Sequence, residues 1–500
     1  MSFYFYDLSG GINLAQSKTT LGLDTKKVFW AQGENVEIYQ NRGIIRQNGN
    51  ILLCDIGENV QIIGLFGFEK NARHYLLINT ALGKLYMFDY AMGVLTCLKS
   101  DFSASQKVTY AKFLDGVCVS NGIDEPVFVD IDDKKAPVKP MDTTNSRGEK
   151  IKGLAMCAYN GRLWLAQGST LYYSALGRYD DWKTPEDAGF ISNFHSDFSK
   201  ITALCPYREY LAIYKENQIY FLSGFSEDEF ALKPFANAGT PTQNAVLTID
   251  NKQYFFNNGV FHLAQVGELG QIVLSSDITT PVKPYINGYK KILAHQICVV
   301  PYEEKSQIWF FIPQKNAQNL STVLIWDFLN KAWYTRKIPQ EISCAGKFAQ
   351  KPVTATHDGK IYLEDTSNSF AGEPIKFAWK SPFFALNSPN KRKVVDKFNL
   401  LLDDAYDNVF EVFVQKNYDE NVQTDVQNIK THNPLNLVWD EPFQTWADEG
   451  EGENWAKAVD AKERVLISDK NFSVQICVQG SENTQNCCII GLEFGELDFN

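Results

Sequence analysis

Apolar and polar positions alternate along this chain in short bursts. Residues 201–224, ITALCPYREYLAIYKENQIYFLSG, hold three bursts separated by polar pairs at Arg208-Glu209 and Glu216-Asn217. The bursts are too short for helices and repeat with a period of two, so the segment predicts three strands joined by tight turns. In YLAIY and IYFLSG one face is aliphatic and the other aromatic or small.

The unit recurs. Residues 154–176 predict turns at Asn160-Gly161 and Gly168-Ser169, and residues 245–265 predict them at Asp250-Asn251 and Asn257-Asn258-Gly259. Residues 347–365 turn near Gln350-Lys351 and at Asp358-Gly359, and residues 112–131 at Asp115-Gly116 and Asn121-Gly122. Two looser copies turn at Asn71-Ala72 and Leu82-Gly83, and at Glu303-Glu304 followed by a long polar loop. Asn-Gly and Asp-Gly suit the positive φ of hairpin turns. First turns therefore fall near 71, 115, 160, 208, 250, 303 and 350, at intervals of 44, 45, 48, 42, 53 and 47 residues. A four-stranded propeller blade takes roughly 40–50 residues. The expected fold class is all-β: a β-propeller of six to eight blades, seven by count, followed by a C-terminal β-sandwich. Trp-Asp occurs once in a blade, at Trp326-Asp327, and Gly-Gly once, at Gly10-Gly11, so WD40 and kelch patterns do not fit.

The ends break the period. Residues 33–53 predict two strands around Asn41-Arg42-Gly43, and an N-terminal strand is expected to complete the last blade. Residues 366–374, TSNSFAGEP, read as a polar linker, and the strand-like segments beyond it show no blade period. The expected organisation is 1–50 as an N-terminal arm with propeller-closing strands, 51–370 as propeller and 371–500 as a sandwich domain.

Composition narrows the function. Aromatic residues make up 13% of the 500 residues, which favours strands. A net charge of −11 disfavours a protein whose main task is gripping nucleic acid. The opening MSFYFYDLSGGINLAQ lacks a basic segment followed by an apolar run, so no signal peptide is expected. No run of 18 apolar residues occurs, so no membrane anchor is expected. The ten cysteines form no C-x-x-C pair and the six histidines are isolated, which predicts buried thiols in a reducing compartment and no zinc site.

Candidate chemistry is sparse. No phosphate-binding glycine loop and no G-x-S-x-G elbow occurs. His262 reads as a strand residue, and Asp180-Asp181 and Asp403-Asp404 as acids beside turns. The segment 440–455 carries six acids and no base, which reads as a solvated loop, with a cation site in 440–453 as the alternative. Lys391-Arg392-Lys393 reads as a guard on a strand edge, with DNA contact as the alternative. The loop 176–190 reads as a surface insertion, with a constriction as the alternative. No catalytic, cofactor-binding or metal-binding residue is expected.

Several segments, in order, resemble the tail hub or nozzle proteins of short-tailed bacteriophages, also called packaged-DNA stabilisation proteins. Residues 194–224 resemble a recurring segment of that family at Ile201–Leu204, Leu211–Glu216 and Ile219–Gly224. Residues 237–263 resemble its next blade, 323–338 its Trp-Asp…Trp hairpin, 377–403 the step into its C-terminal domain, and 8–17 its Gly-Gly lead. The resemblance implies a non-enzymatic virion protein without cofactors, assembled in the host bacterial cytoplasm. It implies a homohexameric ring below the portal and adaptor, beside other tail proteins or fibres. Through that ring double-stranded DNA is retained and later passes without sequence-specific contact. Rival readings are a receptor- or glycan-binding tail propeller on the virion periphery, a glycan-cleaving enzyme with paired carboxylates, and a cellular scaffold propeller.

Overall fold

In the computed structural model the chain is almost wholly β. The residues described are 3–22, 26–195, 197–267, 270–315, 319–386, 393–395, 397–403, 408–430, 461–467, 470–471, 473–481, 487–494 and 498–499. Contacts divide the chain into two units: Leu52–Leu324 with Ile338–Glu364, and Met1–Ile51 with Ile325–Lys337 and Asp365–Asn500. This differs from the three segments expected. The N-terminal residues group with the C-terminal ones because their strands share sheets.

The larger unit is built on the blades of a seven-bladed β-propeller. Five four-stranded antiparallel sheets follow in chain order, spanning Ile62–Lys70 to Val94–Lys99, Thr109–Phe113 to Val138–Pro140, Ala155–Tyr159 to Gly189–Ile191, Ile201–Tyr207 to Ala231–Ala236, and Val246–Ile249 to Gln271–Leu274. The sixth is the run Cys298–Tyr302, Gln307–Phe311, Thr322–Asp327, Ala332–Lys337 of a nine-stranded sheet, its last strand counted with the smaller unit. The seventh takes Ile342–Phe348, Lys351–Thr356 and Lys360–Ser367, and its outer strand is the N-terminal Gly49–Asp55. That strand removes an exposed edge; it lies mostly beyond residue 50, and the hairpin around Asn41-Arg42-Gly43 is in another sheet.

The turn chemistry explains the hairpins. Asn160-Gly161 (φ 48° and 71°) and Asp250-Asn251 (φ 48° and 57°) both sit in the left-handed region that two-residue hairpin loops require. Two turns fall one residue earlier than expected. They are Leu114-Asp115, with Leu114 at φ 50°, and Ala349-Gln350, at φ 45° and 65°. Gly116 instead opens a strand, paired with Phe113. Register set by the flanking apolar residues overrides the preference of Gly for the turn.

Blade strands are buried on both faces, which explains their unbroken apolar runs. In the fourth blade Leu211, Ile213, Tyr220 and Leu222 pack with Trp164 and Leu171 of the third. Ala212, Tyr214, Ile219 and Phe221 turn the other way, onto Phe255 and Leu263 of the fifth. The two faces of these strands thus enter two different interblade cores, each mixing aliphatic and aromatic residues, with Tyr220 in the first and Ile219 in the second. Small residues set the spacing at the closing seam. A Cβ on Gly67 would lie 2.3 Å from the carbonyl oxygen of Lys347, and one on Gly346 would lie 2.8 Å from that of Leu65. The Ser343 hydroxyl donates to the Ile62 carbonyl at 2.7 Å across the same seam.

The smaller unit holds a small three-stranded sheet of Lys470–Asn471, Lys393–Val394 and Asp498–Phe499, and strands of two large sheets. One orders Val36–Tyr39, Gly43–Arg46, Cys488–Phe494, Lys397–Leu402 and Ala461–Leu466, with Phe3–Phe5 also pairing on Cys488–Phe494. The other orders Ala332–Lys337, Gln32–Glu34, Phe377–Lys380, Val474–Gly480, Val409–Lys416 and Asp419–Lys430. The hairpin expected around Asn41-Arg42-Gly43 is present, paired to the C-terminal strand Cys488–Phe494 rather than to a blade. Phe494 meets Phe5, Phe384 and Phe398 at centroid distances of 5.9, 5.6 and 5.7 Å.

Candidate functional site

The first strand of each blade is its innermost, so side chains from distant parts of the sequence converge on the propeller axis. There they line a cavity of about 230 Å³, walled by Ile63–Phe66, Tyr110, Gln243, Asn244, Val246, Cys298–Pro301 and Cys344–Lys347. Phe66 and Tyr110 stack with centroids 5.2 Å apart at 18°. The Tyr110 hydroxyl donates to Asn79 Oδ1 at 2.7 Å, and burial holds its pKa well above the usual phenol range. Burial likewise pushes the Cys298 thiol up to about 11 and the Cys344 thiol well above its ordinary value. Both are protonated near neutral pH and so are poor nucleophiles and metal ligands.

The lining holds one charged side chain, Lys347, whose Nζ lies 2.6 Å from Glu303 Oε2. No carboxylate is among the lining residues. A two-carboxylate glycosidase mechanism therefore has no acid or nucleophile in this cavity. Among the described residues no group of three or more His, Cys, Asp or Glu is placed to hold a metal ion.

The residues singled out in the sequence lie elsewhere. His262 is in the strand Val260–Val266, with its ring 5.1 Å from Tyr254. Burial and the nearby Lys252 lower its pKa to about 4, so it is neutral at pH 7. Asp181 caps its own loop by accepting from the backbone N–H groups of Lys183 and Thr184, while Asp180 pairs with Arg178. The loop 176–190 is no free insertion. Tyr179 stacks on Phe128 at 4.0 Å and 5°, and Trp182 is buried among Met141, Ile151 and Leu163. It fills the space between the second and third blades. Lys391, Arg392, Asp404 and the acidic segment 440–455 lie outside the described residues. All ten cysteines are free.

Motif residues of the resemblance also have definite places. Gly10 and Gly11 lie where chain passes chain. A Cβ on Gly10 would meet the Val28 carbonyl at 2.3 Å, and one on Gly11 (φ 67°) would meet Trp333 backbone at 2.8 Å. The Ile12 N–H donates to the Trp333 carbonyl at 2.7 Å. Trp333 itself packs on Trp326, 4.9 Å away, and Asp327 accepts from the Asn330 backbone at 2.8 Å to fix the hairpin. The Gly-Gly lead and the Trp-Asp…Trp hairpin are therefore direct partners within the smaller unit.

The axial cavity had no local signal in the sequence. It is assembled from five blades by small or thiol residues such as Gly64, Ala345, Gly346, Cys298 and Cys344, none of which forms a motif.

No family model matches the chain, and no curated protein matches it. Among solved structures it is similar to the β-propeller domain of Cps50 (Swd1) from Myceliophteria thermophila, at 8% identity and a TM-score of 0.45 over 64% of this chain and 100% of that one. Virginiamycin B lyase from Staphylococcus aureus gives 11% identity and a TM-score of 0.43 over 64% and 99%. A chain of the mitotic checkpoint complex gives 10% and 0.40 over 64% and 93%. These likenesses carry no functional argument, and the blade count rests on the sheets themselves.

Proposed function

We propose that this chain is a structural subunit of a short-tailed phage tail. In this reading it is one copy in a six-fold hub or nozzle ring below the portal and adaptor, which retains packaged DNA and lets it out. The observation that carries the reading is the ordered series of family-like motifs from residue 8 to residue 403. The direct contact between the Gly-Gly lead and the Trp-Asp…Trp hairpin supports treating those motifs as one set.

The physical properties are compatible. A propeller is a block of short, protected strands, suited to bearing load without chemistry. Heterologous contacts between identical subunits close into rings. An excess of acidic residues, net −11, suits a conduit that DNA slides past rather than one that grips it. The C-terminal unit is read as a sandwich because Phe5, Phe384, Phe398 and Phe494 converge between strands of its two large sheets. Quantitative mass spectrometry of purified virions tests the assignment. The chain is expected in the copy number of a single ring, and its absence from particles would overturn the reading.

One observation favours the peripheral receptor-binding alternative. Phe198 is 81% exposed and Phe225 69%, which offers rings for stacking on sugars. Glycan-array binding that disappears in Phe198→Ala would move the assignment there.

A further inference from the structure

We infer that the segment joining the fifth and sixth blades carries a contact patch for the phosphate backbone of duplex DNA, built from Lys290 and Lys291 with Lys107 and Lys315 beside them. The contact goes beyond the conduit reading, which does not require it, and is tested without a virion.

The sequence marks the segment. Residues 278–302 hold three lysines, one histidine and no acid, in a chain with 59 acidic and 48 basic residues. Asp277, at the edge of the run, is committed. Its Oδ2 lies 2.5 Å from Lys283 Nζ, and its Oδ1 accepts from the Val260 and Thr279 N–H groups. Lys283 is thereby neutralised. Lys107, Lys290, Lys291 and Lys315 have no ion-pair partner among the described residues. Lys107, Lys291 and Lys315 are exposed and Lys290 is half-buried.

The fold gathers these four within the larger unit. The Lys290 N–H donates to the Pro313 carbonyl at 3.2 Å, which ties the segment to the chain just beyond the strand Gln307–Phe311. A Cβ on Gly288 would lie 3.2 Å from Cδ of Lys315, so the Lys315 side chain runs alongside the turn before Lys290. The short 3-10 helix Lys291–Gln296 carries His295, roughly 8 Å along the axis from Lys291. Burial and the nearby Lys107 charge lower the pKa of His295, which places Lys107 at the same patch. Lys107 leads into the innermost strand Thr109–Phe113, and His295 into the innermost strand Cys298–Tyr302. The patch therefore sits at the end of the propeller where these strands begin.

The chemistry favours a duplex. Lysine is a compact point charge that meets phosphate oxygens without a fixed geometry. A duplex presents one phosphate charge per about 1.7 Å of axis, so a patch of this size meets several in any register. Single strands are held by rings on which bases stack, and the Tyr289 ring is spent edge-on against Phe256 at 5.3 Å. A membrane surface needs several apolar side chains to insert, and between Lys283 and Gln296 the large exposed apolar side chain is Ile292, at 84%. About four phosphate contacts on an acidic chain give a dissociation constant on the order of 10⁻⁴ M at physiological salt, which touches DNA without gripping it.

The test is fluorescence anisotropy of a labelled duplex of about 20 base pairs, titrated with the purified full chain at about 50 and about 150 mM salt. Affinity is expected to fall on the order of fifty-fold between the two, the slope of about four phosphate contacts. Lys290→Gln with Lys291→Gln is expected to remove about two contacts from that slope. Lys134→Gln with Lys135→Gln is the control. Those exposed lysines lie on the turn between Val127–Val129 and Val138–Pro140, and their loss changes the net charge equally but is expected to leave the slope as it is. Phosphatidylglycerol vesicles are expected not to bind. The inference is overturned by no saturable binding at the lower salt, by an unchanged slope in the Lys290/Lys291 variant, or by an equal loss in the control. Vesicles binding through the same lysines in place of the duplex would also overturn it.

Discussion

Lys215 is the lysine of the YKE run in the segment that carries the family resemblance. Its side chain is fully buried. Its Nζ donates to the Asp197 carbonyl at 2.6 Å, sits 3.4 Å from Asp197 Oδ2, and lies over the rings of Phe194 and Tyr220 at 4.5 and 5.6 Å. Burial lowers its pKa and Asp197 only partly opposes this. The neighbouring Glu216 is exposed and pairs with Lys200 on the surface, where such a pair adds little. Replacing a buried ion by an apolar isostere is often neutral, whereas stranding it is costly. Lys215→Met is therefore expected to change stability by less than about 1 kcal/mol. Asp197→Ala, which leaves the cation buried and unpaired, is expected to cost about 3 kcal/mol. Urea unfolding of both variants checks the order; an equal loss would contradict it. His262 adds a pH term. Its folded pKa of about 4 lies below the ordinary 6.5, so the unfolded chain binds the extra proton between those values. Stability should fall as pH drops through that window. After discounting for its partial exposure, the loss is on the order of 1 kcal/mol. His262→Gln should lack this part of the acid loss in denaturation midpoints measured between neutral pH and pH 4.5; an identical profile would remove His262 from the account.

At the scale of elements, the ring closes through a seam that has no room for side chains. Gly67 and Gly346 bring the innermost strands of the first and seventh blades together, and Gly49–Asp55 covers the outer edge of the seventh. Gly67→Val drives a side chain into a backbone carbonyl and is expected to destabilise by at least about 3 kcal/mol, lowering the melting temperature by several degrees. A melting temperature unchanged in calorimetry would contradict the close packing. The blades themselves were legible because turn residues and alternation are local: Asn160-Gly161 and Asp250-Asn251 announce their hairpins directly. The one-residue errors at Leu114-Asp115 and Ala349-Gln350 arose where tertiary packing placed residues other than Gly at positive φ. The packing of Tyr179 and Trp182 was not legible, since a loop rich in acidic residues hides its two anchors. The pairing of Val36–Arg46 strands with Cys488–Phe494 was not legible either, because it joins segments more than four hundred residues apart with no repeat to relate them. The axial cavity failed for the same reason: convergence of five blades leaves no trace in any one of them.

For the whole molecule, the balance of charge bears on the proposed conduit role. The chain carries 59 acidic and 48 basic residues, and the lining of its axial cavity has no carboxylate with which to run acid–base chemistry. A conduit for DNA must avoid the salt-sensitive grip that basic surfaces create. Purified chain is therefore expected to bind linear duplex DNA no more tightly than micromolar at physiological salt. Tight, strongly salt-dependent retention in a mobility-shift assay would contradict the conduit model. The central claim is positional, and cryo-EM of the tail of the particle that carries this chain tests it most directly. The account predicts density for the chain on the tail axis, as a closed six-fold ring between adaptor and tail tip. Density on peripheral appendages, or none in the particle, would contradict it.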